Sequence, residues 1–215
     1  MSNPRTQIPE FNKCTRCGHN WVSRKKARPV ICPACKSPYW NRPKGGEALV
    51  RDSITEANHD YEDFIGLLNK HGVNYCIVGA YAVGFHAEPR TTGDMDIFVG
   101  ISEKDAKGVY NALREFGLDD PNLTEDLIKT PGKILRIGLE PNRIEVINSI
   151  GGVKPEDVLA HKVKGVYGSN KTFFIGLDEL IKNKKAIMNK PMRKTTNDLA
   201  DYRILTEVKR KKGKL

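Results

Sequence analysis

Two Cys-x-x-Cys pairs, Cys14 and Cys17 in CTRC and Cys32 and Cys35 in CPAC, stand fourteen residues apart near the start of the chain. Each pair bends the backbone into a knuckle that turns both sulfurs toward one point, and four thiolates close a tetrahedral shell. Zn2+ suits that donor set, with iron as the alternative. Sulfur fills every coordination position, so the ion's expected role is structural. A module of about forty residues buries too little apolar surface to fold alone, so metal binding supplies its folding free energy. The spacing therefore predicts a zinc ribbon over residues 1–44. The fifth cysteine, Cys76, lies in the apolar run Tyr75-Cys76-Ile77-Val78 and reads as a small buried hydrophobe rather than a reactive thiol. An odd count in a chain that opens without an apolar leader points to metal, not to a disulfide framework.

The remainder of the 215 residues suffices for one ordinary domain. No stretch approaches the roughly 20 apolar residues of a membrane span, and the expected location is the cytoplasm, away from membranes. The net charge of +10 is divided unevenly: +9 over residues 1–44, −8 over 45–181 and +9 over 182–215. Basic ends around an acidic middle suit a polyanion held at the ends; solvated lysines that keep the chain soluble are the plainer account of the tail. In the ribbon, Trp21, Tyr39 and Trp40 interleave with Arg16, Arg24, Lys25, Lys26, Arg28, Lys36 and Arg42. Aromatic faces stack bases and cations neutralise phosphates. Each tryptophan alone reads as packing for the small core, whereas the basic loop Arg24, Lys25, Lys26 and Arg28 reads as a nucleic-acid contact.

Pro43 and the glycine pair at 45–46 mark a hinge, and residues 45–52 a linker. Beyond it, helical spacing of apolar residues from Ser53 to Asn69, with Ser53 and Glu56 as a capping box and Gly72 as a stop, predicts a helix. A strand Tyr75–Val78 follows, then a turn at Gly79 into a short helix that ends before Pro89. The run DMDIFV, Asp94 to Val99, predicts a strand, and Ser102 caps a helix that Gly117 ends. Lys133–Leu139 and Arg143–Ile150 around Glu140-Pro141-Asn142 predict a hairpin. A helical turn at 155–160, a strand Thr172–Ile175, and helices Leu177–Asn189 and Asn197–Lys209 complete an α/β (α+β) domain with a mixed sheet over 53–209, before a basic tail at 210–215.

Asp94 and Asp96 are two apart on a strand, so both face one side while Met95 and Ile97 face the other. Two acids on a mostly buried strand repel each other and are costly unless a cation sits between them. Glu145, flanked by Ile144 and Val146, is a third acid on the hairpin strand. Three carboxylates converging from adjacent strands make an oxygen cage suited to Mg2+. Gly79, following a strand and opening a helix, would set backbone N–H groups and a helix N-terminus against phosphates. Together these parts suit phosphoryl-type transfer from a nucleoside triphosphate.

Gly79-Ala80, then Arg90-Thr91-Thr92-Gly93-Asp94-Met95-Asp96, resembles the hG[GS]…DhDh signature of minimal nucleotidyltransferases of the DNA polymerase β-like superfamily. RIEVINSI and FFIGLDELIKNKKA…NDLADYRIL are similar to that family's third acid and C-terminal helices, so the resemblance covers about residues 54–208. It implies the mixed-sheet nucleotidyltransferase fold and a Mg2+-dependent enzyme. Relatives include toxins of toxin–antitoxin pairs, with an antitoxin protein as partner, and aminoglycoside-modifying enzymes. By that resemblance Asp94 and Asp96 hold metal and triphosphate, and Glu145 helps activate the acceptor hydroxyl. Gly79, Ala80, Arg90, Thr92, Lys182 and Lys185 would line the nucleotide site. Two departures stand out: Ala80 replaces a second glycine or serine, and Glu145 stands where aspartate is commoner.

The plainer accounts are that Lys182, Lys184 and Lys185 form a solvated helix face, that His86 is structural and that Asp198 is a helix-dipole acid. The sequence thus predicts transfer of a nucleoside monophosphate from an NTP to a hydroxyl, with RNA or tRNA as acceptor and the ribbon as its handle. The alternative is a nucleotidyltransferase-fold protein that binds nucleic acid or nucleotide for regulation without turnover.

Overall fold

The computed structural model describes residues 11–14, 17–22, 31–36, 58–90, 92–188 and 196–213. The chain divides into two units, Met1–Ile54 and Thr55–Leu215. The basic loop at 24–28, Arg16, Tyr39, Trp40, Arg42, the linker 45–52 and the Ser53–Glu56 box lie outside the described residues.

In the first unit, strands β1 (Phe11–Lys13) and β2 (Asn20–Val22) pair antiparallel, Asn12 opposite Trp21. Cys14 and Cys32 are its buried centre, and Trp21 and Cys35 pack against them. His19 stacks on Trp21 with centroids 5.7 Å apart, so that tryptophan is used for packing.

In the second unit, α1 (His59–Lys70) starts at Asn58, whose side chain accepts from the N–H groups of Asp60 and Tyr61. Asn58 therefore caps this helix in the way expected of a short polar side chain. Strand β3 (Tyr75–Ile77) leads into α2 (Gly79–His86), and β4 (Asp94–Val99) follows. Helix α3 (Glu103–Phe116) has the predicted Ser102 cap and a left-handed Gly117 at its end. Then come α4 (Glu125–Lys129), β5 (Ile134–Ile137), β6 (Arg143–Ile147) and α5 (Pro155–Ala160). The chain ends with β7 (Val163–Tyr167), β8 (Asn170–Phe174), α6 (Leu177–Met188) and α7 (Thr196–Lys212).

The six strands of this unit form one mixed sheet in the order β5-β6-β4-β3-β8-β7. Strands β4 and β6 run parallel, as do β3 and β8; the other pairs are antiparallel. The core side of β4 and β6 presents Met95, Ile97, Ile144 and Val146, all buried. Helices α1 and α3 meet through an edge-on contact of Phe64 and Phe116, centroids 5.1 Å apart. Each such ring, fully buried, contributes roughly 1.5–3 kcal/mol.

Three elements differ from the sequence reading, the first being α4, which falls in a stretch to which that reading assigned no element. Strand β7 escapes it because Gly165 interrupts the β-forming residues and Lys164 breaks the apolar pattern. Gly165 is needed there: a Cβ would lie 2.6 Å from a Phe174 ring carbon and 2.9 Å from one of Phe85, two rings stacked 4.1 Å apart. Helix α7 continues to Lys212, through the first part of the basic tail. Cations are favoured in a helix's last turn, and Glu207 pairs with Lys211 one turn on. No described helix is long and apolar enough to cross a membrane.

Candidate functional site

Four sulfurs come together in the first unit. Among the described residues, Cys14, Cys17, Cys32 and Cys35 are the only group of three or more candidate ligands whose donor atoms all lie within 4.8 Å of one another. All are free thiols. Cys14 Sγ is 3.7 Å from Cys35 Sγ, and Cys17 Sγ is 3.8 Å from Cys32 Sγ. A tetrahedral ion with Zn–S bonds of about 2.3 Å sets its sulfurs about 3.8 Å apart, so the donor set fits zinc. Desolvation pushes the Cys17 thiol up, but the His19 backbone contact and the other three sulfurs outweigh it and leave it lowered. A thiol held down in this way is ready to bind as thiolate.

The acids of the second unit lie on one face of the sheet. Parallel pairing sets Asp96 opposite Glu145 and Asp94 opposite Arg143, and the antiparallel β5–β6 pairing sets Arg136 opposite Glu145. Adjacent strands are about 4.8 Å apart, so these side chains form one charged row. Asp94 accepts from Thr92 Oγ1 at 3.0 Å and from Arg143 Nη2 at 2.6 Å. Glu145 Oε1 takes Arg136 Nε at 2.8 Å and lies 3.2 Å from Arg143 Nε. Arg143 Nη1 reaches Glu140 Oε1 at 2.9 Å. One guanidinium thus spans three carboxylates. Its Nε–H is buried and out of line for a hydrogen bond, a strain of about 1–3 kcal/mol for a buried unsatisfied donor.

Asp96 differs from its neighbours, because its carboxylate has no hydrogen bond or ion pair to any described residue. Burial raises its carboxyl to about 6, and Asp94 and Glu145 add to the rise against the pull of Lys184 and Arg143. The group faces a cleft of about 320 Å³ whose walls include Gly79, Glu145, Asn183, Lys184 and Asp198. Gly79 has φ +63°, and a Cβ there would overlap Asp96 Oδ2 and lie 2.9 Å from Cγ. Only glycine therefore allows the start of α2 to approach this acid so closely. No side chain caps that helix start, so its first-turn N–H groups are open to a ligand. Ala80, next in the chain, is buried.

The basic residues named from the sequence divide differently. Lys182 and Lys185 are exposed on α6 and do not line the cleft. Lys184 does: it is buried, with Nζ 3.0 Å from Asp198 Oδ1 and 2.8 Å from Asp201 Oδ2. Arg90 closes the network with a two-pronged contact to Asp201 at 3.0 and 3.1 Å, so it ties the loop before β4 to α7. His86 Nε2 meets the Ile175 carbonyl at 2.7 Å, a structural use. Burial raises the Cys76 thiol to about 12, as befits an inert core cysteine. The sequence reading missed Arg143 altogether. Its place one strand position before Ile144 and two before Glu145 was the available signal, because alternation puts it on the acid face.

A larger cavity, about 560 Å³, opens at the other end of β4 beside Val99, Gly100 and α5. Its lining is largely apolar, and the acid row is not part of it.

No protein-family model and no curated protein matches the sequence. Among solved structures, similar chains include the antibiotic-resistance factor ANT(2'')-Ia, in solution, at 11% identity and TM-score 0.46, covering 69% of this chain and 82% of that one. Another is the lincosamide antibiotic adenylyltransferase LnuA, lincomycin-bound, at 14% identity and TM-score 0.43, covering 71% of this chain and 98% of that one. At these values neither likeness assigns an activity, and the functional reading rests on the acids and their cleft.

Proposed function

We propose that the second unit is a nucleotidyltransferase-fold enzyme that moves a nucleoside monophosphate from an NTP to a hydroxyl and releases pyrophosphate. The observation that carries this is Asp96: a desolvated, unpartnered carboxylate, facing Glu145 across a parallel strand pair and touching an uncapped helix start. Such an acid is costly without a cation and is poised to take one. Asp94, Asp96 and Glu145 would hold Mg2+, which when bound neutralises charge developing on the phosphoryl oxygens. The first-turn N–H groups at Gly79 and Ala80 would bind phosphate oxygens, with Lys184, already paired with Asp198 and Asp201, in the wall beside them. Glu145 would take the proton of the acceptor hydroxyl. Thr92 orients Asp94, and Arg90 holds the loop that leads into β4, the strand of both aspartates; Lys182 and Lys185, on the exposed face of α6, would meet a larger ligand.

The acceptor in this reading is RNA, with tRNA as the first candidate, and the toxin branch of the family would add an antitoxin protein as partner in the cytoplasm. The organisation is a zinc ribbon over 1–44 with one structural Zn2+, a linker over 45–52, the transferase-like domain over 53–209 and a basic tail over 210–215. The ribbon's basic loop, Arg24, Lys25, Lys26 and Arg28, would hold the acceptor. The test is incubation with each α-labelled NTP, Mg2+ and total cellular RNA, resolved on a gel. Label should enter RNA with the wild-type chain and not with Asp94→Asn/Asp96→Asn. Wild-type labelling by that double variant would overturn the reading.

A second reading, a nucleotide- or nucleic-acid-binding protein without turnover, draws on one observation: Asp94 and Glu145 are already paired with Arg143 and Arg136. Mg2+-dependent pyrophosphate release would exclude it.

A further inference from the structure

We propose that Arg143 is a resident counter-cation that occupies the metal position and keeps a free divalent ion out until a nucleoside triphosphate draws the guanidinium away. This rests on the nucleotidyl-transfer reading and adds to it an order of entry: metal and triphosphate arrive together.

The three carboxylates do not form a ready cage, because among the described residues only the four cysteines gather their donor atoms within 4.8 Å. The reason lies in the row itself. Arg143 Nη2 holds Asp94 Oδ2 at 2.6 Å, and Nε stands 3.2 Å from Glu145 Oε1. Arg136 holds the same Glu145 oxygen from β5. Asp96 alone is left for an incoming ion. Asp94, Asp96 and Glu145 carry three negative charges, of which Arg136 and Arg143 offset two. Lys184 contributes little more, being matched by Asp198 and Asp201. A dication entering beside Arg143 would meet one net negative charge; with Arg143 gone it would meet two.

One of the arginine's three contacts is imperfect. The buried Nε–H makes no hydrogen bond, so leaving exposes no well-made contact at that atom. A phosphate edge matches a guanidinium fork as well as a carboxylate does. A triphosphate in the cleft therefore offers Arg143 an equivalent partner while freeing Asp94 and Glu145. The coupling is reciprocal: nucleotide tightens metal by the factor by which metal tightens nucleotide.

The test is Mn2+ titration of the zinc-loaded full chain, read by electron paramagnetic resonance, with and without a non-hydrolysable NTP analogue. Arg143→Met should bind Mn2+ about tenfold or more tightly than wild type in the absence of nucleotide. Arg143→Lys, which keeps one charge but cannot span two carboxylates and is the gentler change for folding, should lie between. The analogue should tighten Mn2+ on wild type and much less on Arg143→Met. Equal nucleotide-free Mn2+ affinity in all three proteins overturns the role of Arg143 and leaves nucleotidyl transfer standing. No Mn2+ on any of them, even with the analogue, overturns the nucleotidyl-transfer reading and this inference with it.

Discussion

Replacing Asp96 with asparagine should make the protein more stable at neutral pH while removing the proposed activity. The carboxyl is raised to about 6 from an ordinary 3.8, so the folded chain binds this proton more tightly than the unfolded one. Ionising the group therefore costs folding free energy. The penalty is absent below about pH 4, grows between 4 and 6, and is fully present above 6. A gap of this size is worth roughly 3 kcal/mol. Asp96→Asn removes the charge and keeps the shape, so at pH 8 in Mg2+-free buffer it should gain up to that amount, or roughly 5–10 °C in Tm for a chain of this length. At pH 4 the two proteins should melt within about 2 °C of each other. Both tryptophans, Trp21 and Trp40, belong to the unit Met1–Ile54, so unfolding of the second unit is followed by far-ultraviolet circular dichroism. A variant no more stable than wild type at pH 8, or a difference that does not change from pH 4 to 8, would refute the account of Asp96 as a desolvated acid awaiting a cation.

Gly79→Ala should cost more than Gly72→Ala. Both glycines have positive φ, but a Cβ meets nothing within 4 Å at Gly72 and overlaps Asp96 at Gly79. The expected losses are about 1 kcal/mol at Gly72 and a further 1–3 kcal/mol at Gly79, measured by urea unfolding. Equal losses would mean that α2 does not press on the acid. Lys184→Met removes the buried cation that Asp198 and Asp201 share, and should lower stability by about 3 kcal/mol. A loss below about 1 kcal/mol would mean that the network is solvated. Cys32→Ser should remove the bound zinc, counted by elemental analysis, and weaken RNA binding before it weakens NTP binding, each followed by titration. The reverse order would make the ribbon a prop for the fold.

Local rules were legible where neighbours in sequence do the work. The Ser102 cap and Gly117 stop of α3, and the whole of DMDIFV as β4, are fixed by capping geometry and two-residue alternation. The start of α1 was less secure, because Asn58 is as good a cap as a serine and lies closer to the apolar stripe. Strand β7 was hidden because its value lies in pairing with β8 and in admitting two stacked phenylalanines, neither of which shows in its own residues. Lys184 could not be singled out from Lys182 and Lys185. Three lysines on one helix differ only by the side on which α7 packs.

The sequence alone determined the four-cysteine cluster, since two knuckles carry their own geometry, and it determined that Asp94 and Asp96 share a face. Tertiary structure decided everything that turns those acids into a site. Parallel pairing of β4 with β6 joins residues about fifty positions apart, and no local signal sets that register. It puts Glu145 opposite Asp96, and by the same alternation it inserts Arg143 beside Asp94. The pairing that assembles the acids thus also brings the cation that occupies them, because every second residue of β6 faces the same row.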